Sequence, residues 1–125
     1  MNFSIVCLIG IFSTTPFGLA FLLAPEATSS IYGVADWNAG TSTIARLFGA
    51  VLLYVAGTCY AIKDTADPVI QHRTSRIFSI VSAAALLVSV QSILSGATNA
   101  IMWSTAAIYV FFTFAWGNIG LPKKT

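Results

Sequence analysis

Charge is scarce in this chain: Asp, Glu, Lys and Arg make up 8% of its 125 residues, against roughly 25% in an average soluble domain. So few charges cannot dress a water-facing surface. The 6 basic residues exceed the 4 acidic ones by a net charge of only +2, and an electrostatic footprint for nucleic acid needs clustered cations. DNA and RNA are therefore not expected partners. The 2 cysteines are too few for a disulfide-built secreted domain, and no CxxC or Cys/His spacing offers a zinc site. A single histidine, His72, excludes a bis-histidine haem held within the chain. It falls in a polar stretch with Asp64, Asp67, Gln71 and Arg73, where a solvated loop residue is expected and axial ligation of a surface pigment is the alternative. No Asp or Glu interrupts the long apolar runs, so a Ser/His/Asp arrangement would have to be assembled from loops. We expect no enzyme, no catalytic residue and no metal ligand.

What the sequence does contain is hydrophobic material, 57% of the total, arranged in long runs. Crossing a hydrocarbon core of about 30 Å takes about 20 apolar residues in a helix rising about 1.5 Å each. Four stretches meet that length: residues 3–23, 43–62, 74–94 and 99–119. The first stops at Pro25, which lacks a backbone donor. The last two come from one uncharged run, 77–122, divided by the turn-forming Ser95-Gly96-Ala97-Thr98-Asn99. The fold expected is an all-α, integral membrane, antiparallel four-helix bundle forming a single domain. The first segment has no basic n-region, and a cut after Ala24 would leave Pro25 at the new terminus, so it is not expected to be a cleaved signal.

Cationic residues near span ends are retained on the inner side of a membrane. Lys63, Arg73 and Arg76 flank the link between spans two and three, and Lys123 and Lys124 follow span four, whereas loop 25–42 carries Glu26 and Asp36 with no Lys or Arg. Both termini are accordingly expected on the cytoplasmic, stromal or matrix side of a bacterial inner membrane or an organellar membrane. Within loop 25–42, Ser29, Ser30, Gly33, Gly40, Thr41 and Ser42 predict turns, and Ile31, Tyr32, Val34 and Trp37 a short amphipathic piece at the interface.

Helices in lipid associate through close backbone approach and interhelical hydrogen bonds. Gly10, Thr14 and Gly18 recur at spacing four in span one, as do Ala45, Gly49, Gly57 and Ala61 in span two with Leu53 standing between Gly49 and Gly57; Ser75, Ser79, Ala83, Ala85, Ser89, Ser92 and Gly96 mark span three. These stripes predict the packed faces. Pro16, behind Ser13, Thr14 and Thr15, predicts a kink whose freed carbonyl the hydroxyls satisfy. Cys7 and Cys59 are expected at similar depth as two free thiols.

Span four carries Trp103, Tyr109, Phe111, Phe112, Phe114 and Trp116 on several sides. That surplus has two readings: interfacial anchoring of Trp103 and Trp116, or a face that docks a partner subunit or a flat hydrophobic molecule. Arg46 is an ionisable residue inside a predicted span and is costly there. One account is a structural clamp with Glu26 and Asp36 as its carboxylates. The other is a ligand or partner site shared with Gln91, Asn99 and Trp103, extended by Tyr109, Phe112 and Trp116, for a bound lipid, quinone, carotenoid or chlorophyll.

The stretch Leu23-Ala24-Pro25-Glu26 to Tyr32-Gly33-Val34, followed by Ala45-Arg46-Leu47-Phe48-Gly49-Ala50 and an apolar run, resembles small four-helix bacterial membrane proteins related to the DoxX-like group. The resemblance implies a four-helix antiparallel bundle and, as in some relatives, association with quinone-linked oxidoreductase complexes. The small size and the aromatic excess of span four lead to the expectation of a non-catalytic accessory or structural subunit of a larger membrane complex, respiratory or photosynthetic. Its partners would be membrane lipids and other membrane protein subunits. The alternative is a binding protein for a lipophilic small molecule such as a quinone, lipid or pigment.

Overall fold

A computed structural model describes residues 1–121; the expected basic tail of Lys123 and Lys124 lies outside them. Five helices follow one another: α1 (Phe3–Leu23), α2 (Pro25–Ile31), α3 (Ala39–Ile62), α4 (Pro68–Leu94) and α5 (Met102–Gly120), with no strand among the described residues. Three of them, α1, α3 and α4, are long and apolar enough to cross a membrane. α5 is 19 residues long and stands outside that set, since Trp103, Tyr109, Trp116 and Asn118 dilute its aliphatic residues.

Helix starts follow capping chemistry rather than hydropathy. α3 begins at Ala39, ahead of the expected 43, because Asn38 caps it: its side-chain oxygen accepts from Thr41 N at 3.0 Å. Likewise α4 begins at Pro68 instead of 74. Asp67 Oδ1 accepts from Val69 N at 2.8 Å, and Pro68 fills the first helical position, where a missing N–H costs nothing. His72 and Arg73 are therefore helical residues and not members of a loop. At the other end α4 closes with Gly96 at φ +73, where Ala97 N reaches Ser92 O at 3.0 Å and Gly96 N reaches Ile93 O at 3.1 Å. In the expected loop 25–42, Pro25 both ends α1 and opens α2.

The long helices pair antiparallel, α1 with α3 and α4 with α5, and the two pairs are made differently. α1 and α3 meet through glycine. A Cβ placed on Gly49 would stand 2.7 Å from Gly18 O and 2.7 Å from Leu22 N, so the backbones touch directly. The spacing-four stripe of α3 holds only as far as Ala45 and Gly49; Gly57 and Ala61 are exposed, and Ala56 and Cys59 are buried in their place. At 3.6 residues per turn a four-residue step overshoots by about 40°, and three such steps carry Gly57 off the contact face. α4 and α5 meet through polar side chains on main-chain carbonyls, as described below.

Larger side chains separate the two pairs. Phe3, Val6 and Cys7 of α1, Cys59 of α3, and Phe112, Ala115 and Trp116 of α5 form the buried core, with Phe78 of α4 packed against it. This core sits at the end where α1 and α4 begin and α3 and α5 finish. Trp116 lies edge-on to Phe3 at 5.8 Å and to Phe78 at 5.2 Å. Elsewhere the helices turn apolar side chains outward. Phe12, Ile44, Tyr54, Ile80 and Leu87 are each at least 70% exposed, a surface suited to hydrocarbon and not to water.

α1 runs unbroken through Pro16. The neighbouring hydroxyls do not serve the carbonyl that Pro16 frees: Ser13 Oγ donates to Ile9 O at 2.6 Å and Thr14 Oγ1 to Gly10 O at 2.8 Å. Such bonding to the preceding turn is the usual choice of a helical Ser or Thr.

Candidate functional site

Three polar side chains of α4, those of His72, Arg76 and Ser79, fasten it to α5. Each helix ends with main-chain carbonyls that have no partner of their own, and α4 supplies them for α5. Arg76 Nε donates to Gly120 O at 2.7 Å, and His72 Nδ1 to Ile119 O at 2.8 Å, which fixes the proton on that ring nitrogen. One face further along, Ser79 Oγ donates to Thr113 O at 2.9 Å. Cationic and N–H groups at a helix C-terminus also oppose its dipole. Ser75 lies on the same side, fully buried, and its hydroxyl has no partner among the described residues.

The opposite end has its own lock. Asn99 binds the end of α2 twice, its main-chain N–H donating to Tyr32 O at 2.8 Å and its Nδ2 to Ile31 O at 2.8 Å. Gly33, at φ +82, lies so close that a Cβ would meet Asn99 Cβ at 3.1 Å. Tyr32 stacks on Phe21 at 6.3 Å, and its hydroxyl accepts from Thr105 Oγ1 at 3.4 Å. Asn99 is thus a structural tie between α2 and the α4–α5 turn.

Arg46 lies elsewhere. Together with Ala24, Pro25, Glu26, Ala27, Trp37 and Ser42 it lines an open groove of about 540 Å³. None of Gln91, Asn99 and Trp103 lines this groove, so the expected four-residue site does not form. Nor does the clamp close: Arg46 makes no ion pair with Glu26 or Asp36, and Lys63 with Asp64 is the one ion pair among the described residues. There the Asp64 carboxylate raises the Lys63 ammonium above its ordinary range, and the Lys63 nitrogen stands 5.6 Å from the centre of the Tyr60 ring.

The remaining residues expected at a contact divide between inside and outside. Phe112 and Trp116 are buried in the core and are not available to a partner or to an interface. Tyr109 is half-buried, whereas Gln91, Trp103, Phe111 and Phe114 are exposed. Cys7 and Cys59 are free and buried; a Cβ on Gly10, on the next turn from Cys7, would touch Cys59 Sγ at 3.4 Å. His72 and Arg76 went unrecognised as helix fasteners, although the Asp67-Pro68 helix start placing them on α4 is written in the sequence.

No family model matches this chain. No curated protein and no solved structure matches it either.

Proposed function

We propose that the protein is an integral membrane four-helix bundle serving as a non-catalytic accessory or structural subunit of a larger membrane complex, respiratory or photosynthetic. α1, α3, α4 and α5 are its spans, with both chain ends on the cytoplasmic, stromal or matrix side. The gathering of Lys63, His72, Arg73 and Arg76 at the end where α1 starts supports this sense of insertion. The DoxX-like resemblance of the segment around Pro25 and Arg46 agrees with it.

One observation carries the reading: the last carbonyls of α5 are covered within the chain, while three of its aromatic rings, Trp103, Phe111 and Phe114, stay exposed. Its terminal carbonyls are covered by His72 and Arg76, while Trp103 at 51% and Phe114 at 68% exposure face away from the chain, with Phe111 also exposed. Aromatic side chains are enriched where proteins meet one another, and with two main-chain carbonyls of its last turn already served, α5 meets a neighbour chiefly through these rings. Isolation in mild detergent followed by native mass measurement tests the proposal. The expected species is a complex containing other chains in fixed ratio, which dissociates when Phe114 and Trp103 are replaced by alanine. A 13.2 kDa monomer or plain homodimer overturns it.

A further inference from the structure

We infer that the groove beside Arg46 is a binding site for the headgroup of a phospholipid carrying a primary amine, of the phosphatidylethanolamine class. This rests on the membrane-spanning reading above and on four features of the groove.

The first is charge. Glu26 and Arg46 line the same groove, are both exposed, and form no ion pair with each other. Opposite charges held apart in one recess suit a ligand that itself separates a cation from an anion. A guanidinium matches a phosphate through paired N–H donors, and a carboxylate accepts from a primary ammonium. Ser42, one helical turn before Arg46 on the same side of α3, adds a hydroxyl donor to the phosphate end.

The second is the half-buried Trp37 in the lining. Indole rings favour the depth at which headgroups lie and attract cations to their faces. Size is the third: about 540 Å³ falls within the range of small-molecule sites.

The fourth feature decides for a lipid over a free zwitterion. Leu23, Ile44 and Leu47, at 76%, 70% and 62% exposure, stand within two residues of the lining residues Ala24 and Arg46 in the chain. They give acyl chains exposed apolar surface at the level of the groove. Glu26, with exposed Asp36 in the same linker, opposes a net anionic headgroup, and a quaternary choline has no N–H to give the carboxylate.

The test uses the full chain in nanodiscs containing equal parts phosphatidylethanolamine, phosphatidylcholine and phosphatidylglycerol, with retained lipid read by native mass spectrometry. Failure to enter nanodiscs would refute the membrane-spanning reading itself, so the two failures are distinct. Once inserted, the wild type is expected to retain one phosphatidylethanolamine with about tenfold preference over phosphatidylglycerol. Arg46→Gln abolishes retention, and Glu26→Lys reverses the preference towards phosphatidylglycerol. Both residues are exposed, so neither substitution disturbs packing. Equal retention of the three lipids by the wild type, or a preference unaltered by both variants, overturns the inference.

Discussion

Arg76 and Gly120 fit one another in two ways. The guanidinium Nε donates to the glycine carbonyl at 2.7 Å, and the absence of a side chain on Gly120 makes room for the arginine's own main chain, since a Cβ there would stand 2.9 Å from Arg76 N. The contact thus needs both the charge and the vacancy, and it brings the first turns of α4 against the last turn of α5.

Arg76→Ala should leave the carbonyl of Gly120 without its charged donor and cost about 1–3 kcal/mol. Arg76→Lys should recover part of this, because an ammonium supplies charge without the planar fork. Unfolding by detergent titration in mixed micelles gives the energy, and faster amide exchange confined to the last turn of α5 identifies its place.

Gly49→Ala should destabilise by about 1–3 kcal/mol, because its Cβ meets main-chain atoms of α1 that have no rotamer to yield. Gly57→Ala is the control: nothing stands within 4 Å of a Cβ there, and replacing a helical glycine gains about 0.5–1 kcal/mol. The same unfolding measurement should move in opposite directions for the two variants.

Ser75→Ala should be neutral or stabilising. Its buried hydroxyl has no partner among the described residues, and removing an unsatisfied polar group removes its desolvation cost, about 1–3 kcal/mol. Ser79→Ala should lose about 0.5–1.5 kcal/mol with its bond to Thr113 O. Equal effects of the two substitutions would contradict this assignment.

Cys7 and Cys59, at 0% and 1% exposure, should resist a membrane-permeant maleimide in the folded protein and react together on unfolding, as mass spectrometry of labelled samples will report. Reaction of the native protein within minutes would show that the core around Trp116 opens.

The long apolar runs made the helices legible, because hydropathy alone decides where a hydrocarbon-length segment can lie. The starts of α3 and α4 were not, since the cap Asn38 and the pair Asp67-Pro68 sit in polar flanks that a search for apolar stretches passes over. Of the small-residue stripes, Gly18 and Gly49 do mark a contact, but a strict four-residue period misplaces Gly57 and Ala61 by ignoring the drift of the helix. The turn at Asn99 was visible from composition; its partner Ile31, 68 positions away, is set by tertiary placement and leaves no local pattern. For the same reason the sequence pointed to a polar role for Arg46 and to Glu26 as its neighbour, yet not to a shared groove in which the two remain unpaired. The aromatic excess of α5 was evident, whereas its division into buried Phe112 and Trp116 and exposed Trp103, Phe111 and Phe114 depends on which face meets α1 and α4.

The unlike joints within the two helix pairs bear on biogenesis. Glycine contact between α1 and α3, and side-chain bonds from α4 to α5, make each half self-sufficient, while the halves meet through the aromatic core at one extremity and the Asn99 tie at the other. On the proposed four-span reading, such a chain inserts as two successive hairpins, the earlier one assembling before the later is synthesised. Severing the connection between Lys63 and Asp67 should accordingly yield two fragments that reunite when produced together.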